Sequence, residues 1–245
     1  MLTRFICLLI GYAFGCLQTA YFVGLLNRID IRRFGSGNLG TTNTARILGL
    51  ASGLIVLGGD ILKTVLGTMV VQWLYGQSQP ELLLVLKAYA FVGCMLGHNY
   101  PFYLGFRGGK GVAVTIGFLL VLQPYLFLAW AAAALIAFLP TRYMSLASMT
   151  GCVTAAILTP ILGRFGFWGM TAPARTEMYI LLALAALLVI FQHRSNIRRI
   201  LSGSESRFSF REAGSAAREV MPKSYDGRKS GGAKRNDVGK DVGKE

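Results

Sequence analysis

Seven apolar runs, near residues 4–26, 51–75, 81–97, 112–122, 125–139, 144–162 and 177–193, set the terms on which this chain can fold. About 20 consecutive apolar residues match the hydrocarbon core of a bilayer, and a helix satisfies its own backbone hydrogen bonds there. The expectation is an all-α membrane protein. Residues 1–26 resemble a signal peptide in position only. Phe5 to Leu26 is long enough to span and carries no small-residue cleavage site, so a retained first helix is expected. Residues 112–139 read as one helix would reach about 42 Å against a core of roughly 30 Å. Gln123-Pro124 supplies a break in the middle, which gives two short helices.

Charge then sets the orientation. With seven spans and the N-terminus outside, the inner segments are 27–50, 98–111, 140–143 and 194–245. They carry nearly all the arginine and lysine, whereas the outer segments hold only Arg4, Arg164 and Arg175. That satisfies the excess of positive charge expected on the cytoplasmic side, and six spans would violate it. The net charge of +14 is concentrated beside the spans: only Asp30, Asp60, Glu81 and Glu177 precede Glu205. Such an imbalance suits an anionic substrate or lipid headgroup, and nucleic acid is not expected as a partner. Cys7, Cys16, Cys94 and Cys152 lie in apolar runs without paired spacing and read as free thiols. The composition divides the chain into a membrane domain, 1–205, and a basic tail, 206–245, expected to be disordered.

Three polar segments fall on the inner face. The first, Gly35-Ser36-Gly37-Asn38-Leu39-Gly40-Thr41-Thr42-Asn43-Thr44-Ala45-Arg46, matches G-x-G-x-x-G formally. It lacks the strand, the parallel sheet and the acidic ribose partner of a dinucleotide site. Its hydroxyls, amides and guanidinium are phosphate-binding groups, although Ser36 or Asn38 could equally cap a helix. The second segment, 97–111, holds His98, Arg107 and Lys110 among Gly105, Gly108, Gly109 and Gly111, directly before an apolar helix. Glycines admit a ligand close to the backbone, and a helix N-terminus favours an anion. It is not a Walker A loop, because Gly111 stands where the magnesium-binding Ser/Thr would be. The third, 193–205, places His193 and Asn196 on one helical face, with Arg198 and Arg199 as interfacial anchors and Glu205 able to pair with an arginine. Asp60 and Lys63 lie one turn apart inside the second span. There they either face the interior or snorkel to the surface.

Together the three segments resemble the bacterial acyl-phosphate:glycerol-3-phosphate acyltransferase family. Its motifs look like GSGNxGATNxxR, GHxFPxFLxFxGGKGVAT and HxxNIxRLxxGTE. The corresponding residues here read GSGNLGTTNTAR at 35–46, GHNYPFYLGFRGGKGVAV at 97–114 and HRSNIRRILSGSE at 193–205. The departures are Thr41, Tyr100, Tyr103, Val114, Ile200 and Ser204, and only Thr41 adds a polar group near the presumed site. The resemblance implies a seven-span enzyme of the bacterial inner membrane with its site on the cytoplasmic side. It would pass an acyl group from acyl phosphate to the 1-hydroxyl of sn-glycerol 3-phosphate, giving lysophosphatidate and phosphate. It would use no cofactor and no metal, and a soluble phosphate acyltransferase that makes acyl phosphate would be its partner. By motif, Ser36, Arg46, His193 and Asn196 match catalytic positions. Gly35, Gly37, Asn38, Thr41, Asn43, His98, Gly108, Gly109, Lys110 and Gly111 match substrate-binding ones, and Glu205 a structural one.

The chemistry is consistent with that assignment. An acyl phosphate is a mixed anhydride, so no covalent enzyme intermediate is demanded. The protein must hold two anions together and stabilise a developing oxyanion. The proton acceptor is either His193 or a substrate phosphate oxygen, with Ser36 a ligand rather than a nucleophile. The soluble-site acyltransferase pattern of His followed five residues later by Asp is absent, since Tyr103 and Arg198 occupy those places. A transporter of a phosphorylated solute is the alternative, but transport needs a site reachable from both faces.

Overall fold

Close approach of two helices organises the bundle. In a computed structural model that describes residues 1–209, α1 (Leu2–Gly15) lies along α5 (Leu83–Asn99). Gly11 and Gly15 of α1 sit on the backbone of Ala90 and Cys94, and Gly93 and Gly97 of α5 sit on that of Leu8 and Tyr12. A Cβ at any of these four glycines would land on a carbonyl oxygen or amide of the other helix. Without a hydrophobic drive between helices in lipid, such small-residue contacts supply the packing. The spacing Gly-x-x-x-Gly is present in both segments of the sequence.

The remaining elements are α2 (Thr19–Leu26), α3 (Thr41–Leu48), α4 (Leu50–Tyr75), α6 (Val112–Leu122), α7 (Pro124–Thr141), α8 (Met144–Arg164), α9 (Ala172–Gln192) and α10 (Arg194–Leu201). No strand occurs among the described residues. Among the described residues, six segments are long and apolar enough to cross a membrane: Leu2–Leu26, Leu50–Tyr75, Pro80–Leu104, Pro124–Thr141, Met144–Arg164 and Ala172–Gln192. The seventh apolar helix, α6, has 11 residues and rises only about 16 Å. The expected break at Gln123-Pro124 is present, with Pro124 opening α7. The core lies between α5, α6, α8 and α9, where Phe91 stacks on Phe118 at 4.3 Å.

The first span is broken, which its apolar sequence did not foretell. Helix α1 stops at Gly15 and α2 begins at Thr19. No proline lies there; the exposed carbonyls are taken by side chains from other elements. Lys63 donates to Gly15 O and Leu17 O at 3.2 and 2.8 Å, and Tyr103 donates to Cys16 O at 2.7 Å. Gln18 turns inward, donating from Nε2 to His98 O at 2.8 Å. Discontinuous helices at membrane depth need such substitutes for lost backbone bonds.

The expected domain boundary at 205 sits inside a packed segment. Ser206 O accepts from Arg46 and Phe208 N–H donates to Arg142 O, so 206–208 lie against the bundle. The tail from 210 on lies outside the described residues.

Candidate active site

The three polar segments surround one cavity of about 380 Å³. Two helix N-termini open onto it. The first turn of α3 contributes Gly40, Thr41, Thr42 and Asn43, and that of α6 contributes Gly111, Val112 and Ala113. The leading N–H groups of a helix have no intrahelical partner and carry the positive end of its dipole, so each terminus favours an anion. Ser36, Asn38, Arg46, His98, Lys110, His193 and Asn196 complete the polar wall. Leu57, Ile61, Ile116, Phe127, Trp130 and Met144, from α4, α6, α7 and α8, form an apolar wall beside it. A cavity lined in this way takes an anionic head and a hydrocarbon tail together.

The geometry separates ligand-facing groups from the groups that hold them. Asn43 Oδ1 accepts from Ser36 N–H at 2.9 Å while its Nδ2 donates to Phe34 O at 3.2 Å, so the Asn43 amide secures the loop that carries Ser36. Gly35 and Gly37 flank that serine without lining the cavity. Gly108 and Gly109 also stand behind the wall. Their N–H groups donate to Asn99 O and His98 O at 3.0 and 2.9 Å, closing the end of α5 instead of facing a ligand. Gly109 has a steric task as well, since a Cβ there would land on the His98 ring at Nε2.

Glu205 is the hub of the third segment. One carboxylate oxygen accepts from Ser145 at 2.6 Å and from Asn196 Nδ2 at 2.8 Å; the other accepts from Arg199 at 2.8 Å. Lys110 donates to Asn196 Oδ1, so Asn196 joins the lysine to the carboxylate and its amide orientation is fixed from both ends. Burial works against the Glu205 carboxylate, but the hydrogen bonds outweigh it and hold its pKa below the ordinary value. Burial lowers Lys110 to about 8, with Glu205 opposing and Arg199 and Arg46 adding to the fall. Burial likewise lowers the pKa of Arg46. Three cations thus share one carboxylate, which leaves positive charge for a ligand.

His193 sits at the joint of α9 and α10, 3% exposed. Its Nδ1 lies 2.8 Å from Val189 O, an atom that only accepts, so Nδ1 carries the proton and Nε2 keeps its lone pair. Burial, reinforced by Lys110, lowers its pKa to about 4, and the ring is neutral at neutral pH.

The comparisons with known proteins bear on this arrangement directly. The family profile described as Glycerol-3-phosphate acyltransferase matches residues 5–203. This chain belongs to that family. A glycerol-3-phosphate acyltransferase of Thermoanaerobacter sp. (strain X514) is 38% identical over 200 residues, 81% of this chain and 92% of that protein. One from Anaeromyxobacter sp. (strain Fw109-5) is 41% identical over 199 residues, covering 80% and 92%. Among solved structures, the glycerol 3-phosphate form of PlsY, an integral membrane glycerol 3-phosphate acyltransferase, superimposes with a TM-score of 0.72 at 30% identity. It covers 85% of this chain and 97% of its own, and a lysophosphatidic acid form gives 0.70.

The sequence places Asp60 and Lys63 one turn apart inside a span but gives them no place in the three motifs. Asp60 lines the cavity, and the two side chains are 1% and 3% exposed, so the interior reading holds. Ser145 and the aromatic pair Phe127 and Trp130 carried no signal, because each sits in an ordinary apolar or helix-starting context.

Proposed function

We propose that this chain transfers a fatty acyl group from acyl phosphate to the 1-hydroxyl of sn-glycerol 3-phosphate. The products are 1-acyl-sn-glycerol 3-phosphate and phosphate, formed on the cytoplasmic side of a bacterial inner membrane with the N-terminus outside. The observation that carries this reading is the pairing of two helix N-termini and two cationic side chains, Arg46 and Lys110, with an apolar wall in one cavity. Both substrates bear phosphate and one bears a hydrocarbon chain. The glycerol 3-phosphate and lysophosphatidic acid forms of the solved relative support the choice of acceptor and product.

The residues divide the work as follows. Lys110, with the α6 N-terminus, holds one phosphate, and Arg46, with the α3 N-terminus and Ser36, holds the other. His193 Nε2 accepts the proton of the 1-hydroxyl as its oxygen attacks the acyl carbonyl carbon. The tetrahedral adduct collapses with cleavage of the bond to the phosphate oxygen, and the imidazolium returns its proton to the departing phosphate. A ring of pKa about 4 is by itself a weak base. Two bound phosphates place negative charge beside it and raise that value toward the working pH. Ser36 acts as a ligand, since an acyl phosphate is already activated.

The purified protein, given acyl phosphate and glycerol 3-phosphate with acyl-CoA as a parallel donor, is the test. Stoichiometric lysophosphatidate and phosphate from acyl phosphate are expected. Equal rates from acyl-CoA would overturn the donor assignment, and an acyl-Ser36 adduct formed without acceptor would overturn the direct transfer.

A further inference from the structure

The chain has two histidines, and both line the cavity. His193 keeps a lone pair on Nε2 and is the proposed proton acceptor; the surroundings of His98 give that ring the opposite character. Lys63 Nζ lies 2.9 Å from His98 Nδ1, 2.8 Å from Asp60 Oδ1, 2.8 Å from Leu17 O and 3.2 Å from Gly15 O. An ammonium group has three N–H donors and no lone pair, so it can only donate to the ring. His98 Nδ1 therefore accepts, and the ring proton resides on Nε2. A doubly protonated ring would set two positive charges 2.9 Å apart in a site where His98 and Lys63 are each 3% exposed. Asp60 does not hold the ring itself, standing 3.8 Å from Nδ1. It accepts from Lys63 and from Thr19 Oγ1 at 3.1 Å. Had the carboxylate contacted Nδ1 directly, the tautomer would be the reverse, as in a Ser-His-Asp triad.

The lock is rigid on every side. The two carbonyls that Lys63 grips are those released by the break between α1 and α2. His98 O accepts from Gln18 Nε2 at 2.8 Å and from Gly109 N at 2.9 Å, so the backbone behind the ring is pinned. Gly109 packs against the ring at Nε2, where any Cβ would collide with it, and the ring still lines the cavity.

We infer that Asp60 and Lys63 are positioning residues that fix His98 as a neutral Nε2–H donor toward an anionic oxygen of the reacting substrates. That oxygen is either on a phosphate or on the acyl carbonyl as it becomes an oxyanion. This assignment rests on the proposed acyl transfer for its substrate, but the tautomer itself does not. His98 donates and His193 accepts, and the two rings in one cavity cannot exchange roles. A fixed donor needs no reorganisation when charge develops.

The test is ¹⁵N NMR of the full-length protein labelled at histidine, with His193→Gln used to assign the two rings. His98 is expected to show an unprotonated Nδ1 and a protonated Nε2, and His193 the reverse. In Lys63→Met the His98 signals should move to a mixture of tautomers. Kinetically, His98→Gln, whose amide places an N–H near the Nε2 position, should retain activity to within about tenfold. His98→Ala should lose roughly 10- to 100-fold, as expected for a hydrogen bond to a charged group. A loss in KM assigns the oxygen to a bound phosphate, and a loss in kcat to the oxyanion. A protonated Nδ1 on His98, or His98→Gln as inactive as His98→Ala, would overturn the inference. If the wild-type protein transferred no acyl group, the reaction assignment would fall while the ring signals still decided the lock.

Discussion

Two charged clusters reach the same cavity, one through Asp60 and the other through Arg46 and Lys110, and they differ in their charge balance. Asp60 and Lys63 come from one helix, one turn apart, and each charge is matched by the other at 2.8 Å. The second cluster draws Arg46, Lys110, Arg199 and Glu205 from three separate segments and has three cations for one carboxylate. The balanced pair has no charge left to give and acts by orienting a neighbour. The unbalanced group keeps a surplus, and in a cavity of low dielectric that surplus draws an anion strongly. Proximity to the cavity therefore does not distinguish a binding residue from a positioning one; the local count of charges does.

The sharpest test removes the proton acceptor beside the unbalanced cluster. His193→Ala should lower kcat by roughly 10²- to 10⁴-fold, the range for a lost general base, in steady-state assays of lysophosphatidate formation. Lys110→Ala should raise KM for glycerol 3-phosphate roughly 10- to 100-fold through one lost charge-assisted contact, with a smaller change in kcat. Unchanged kinetics in that variant would remove Lys110 from the site and erase the contrast between the clusters.

The pH profile refines the same point. With its pKa lowered to about 8, Lys110 is charged below that pH and neutral above it. The kcat/KM profile should accordingly fall as pH rises through about 8, and Lys110→Arg should move that limb upward, because a guanidinium stays charged. On the acid side, His193 accepts a proton only above about 4, so kcat/KM should fall below that value. The corresponding limb in kcat should lie at higher pH, since bound phosphates stabilise the imidazolium. Glu205 raises the pKa of Lys110, so Glu205→Gln should carry the basic limb to lower pH. The same substitution should reduce thermal stability by about 1–3 kcal/mol, as Arg199 loses its partner.

The smallest effect is expected at the other end of the bundle, where Arg4 pairs with Glu177 at 2.6 Å and Tyr89 donates to the same carboxylate at 2.7 Å. That pair is balanced and far from the cavity. Arg4→Ala should cost about 1 kcal/mol or less, read as a small drop in melting temperature, with kcat and KM unchanged.

Much of the site was legible because its polar residues interrupt apolar sequence. Lys110 and Arg46 stand beside spans, where a cation needs a reason to be, and both reach the cavity. His193 and Asn196 share a face at helical spacing, and both are buried there. Gly108 and Gly109 were read by composition as ligand-facing, whereas their amides close α5; a glycine's sequence does not say which partner its N–H will find. Asn43 lines the cavity as expected of a substrate-binding position, but its amide also binds the loop carrying Ser36, a role its sequence context does not indicate. The break in the first span had no local signal at all, because distant Lys63, Tyr103 and Gln18 maintain it.

The sequence by itself determined that the chain is helical and membrane-spanning, that α6 and α7 part at Pro124, and that cations gather near one set of segments. Those properties depend on burial length, backbone satisfaction and charge placement, all of which are local. The tertiary structure alone decided which polar groups face a ligand and which face one another. That choice depends on hydrogen-bond partners as far as 160 residues away, and a ring nitrogen, an amide or a glycine N–H has no preference until one of them arrives.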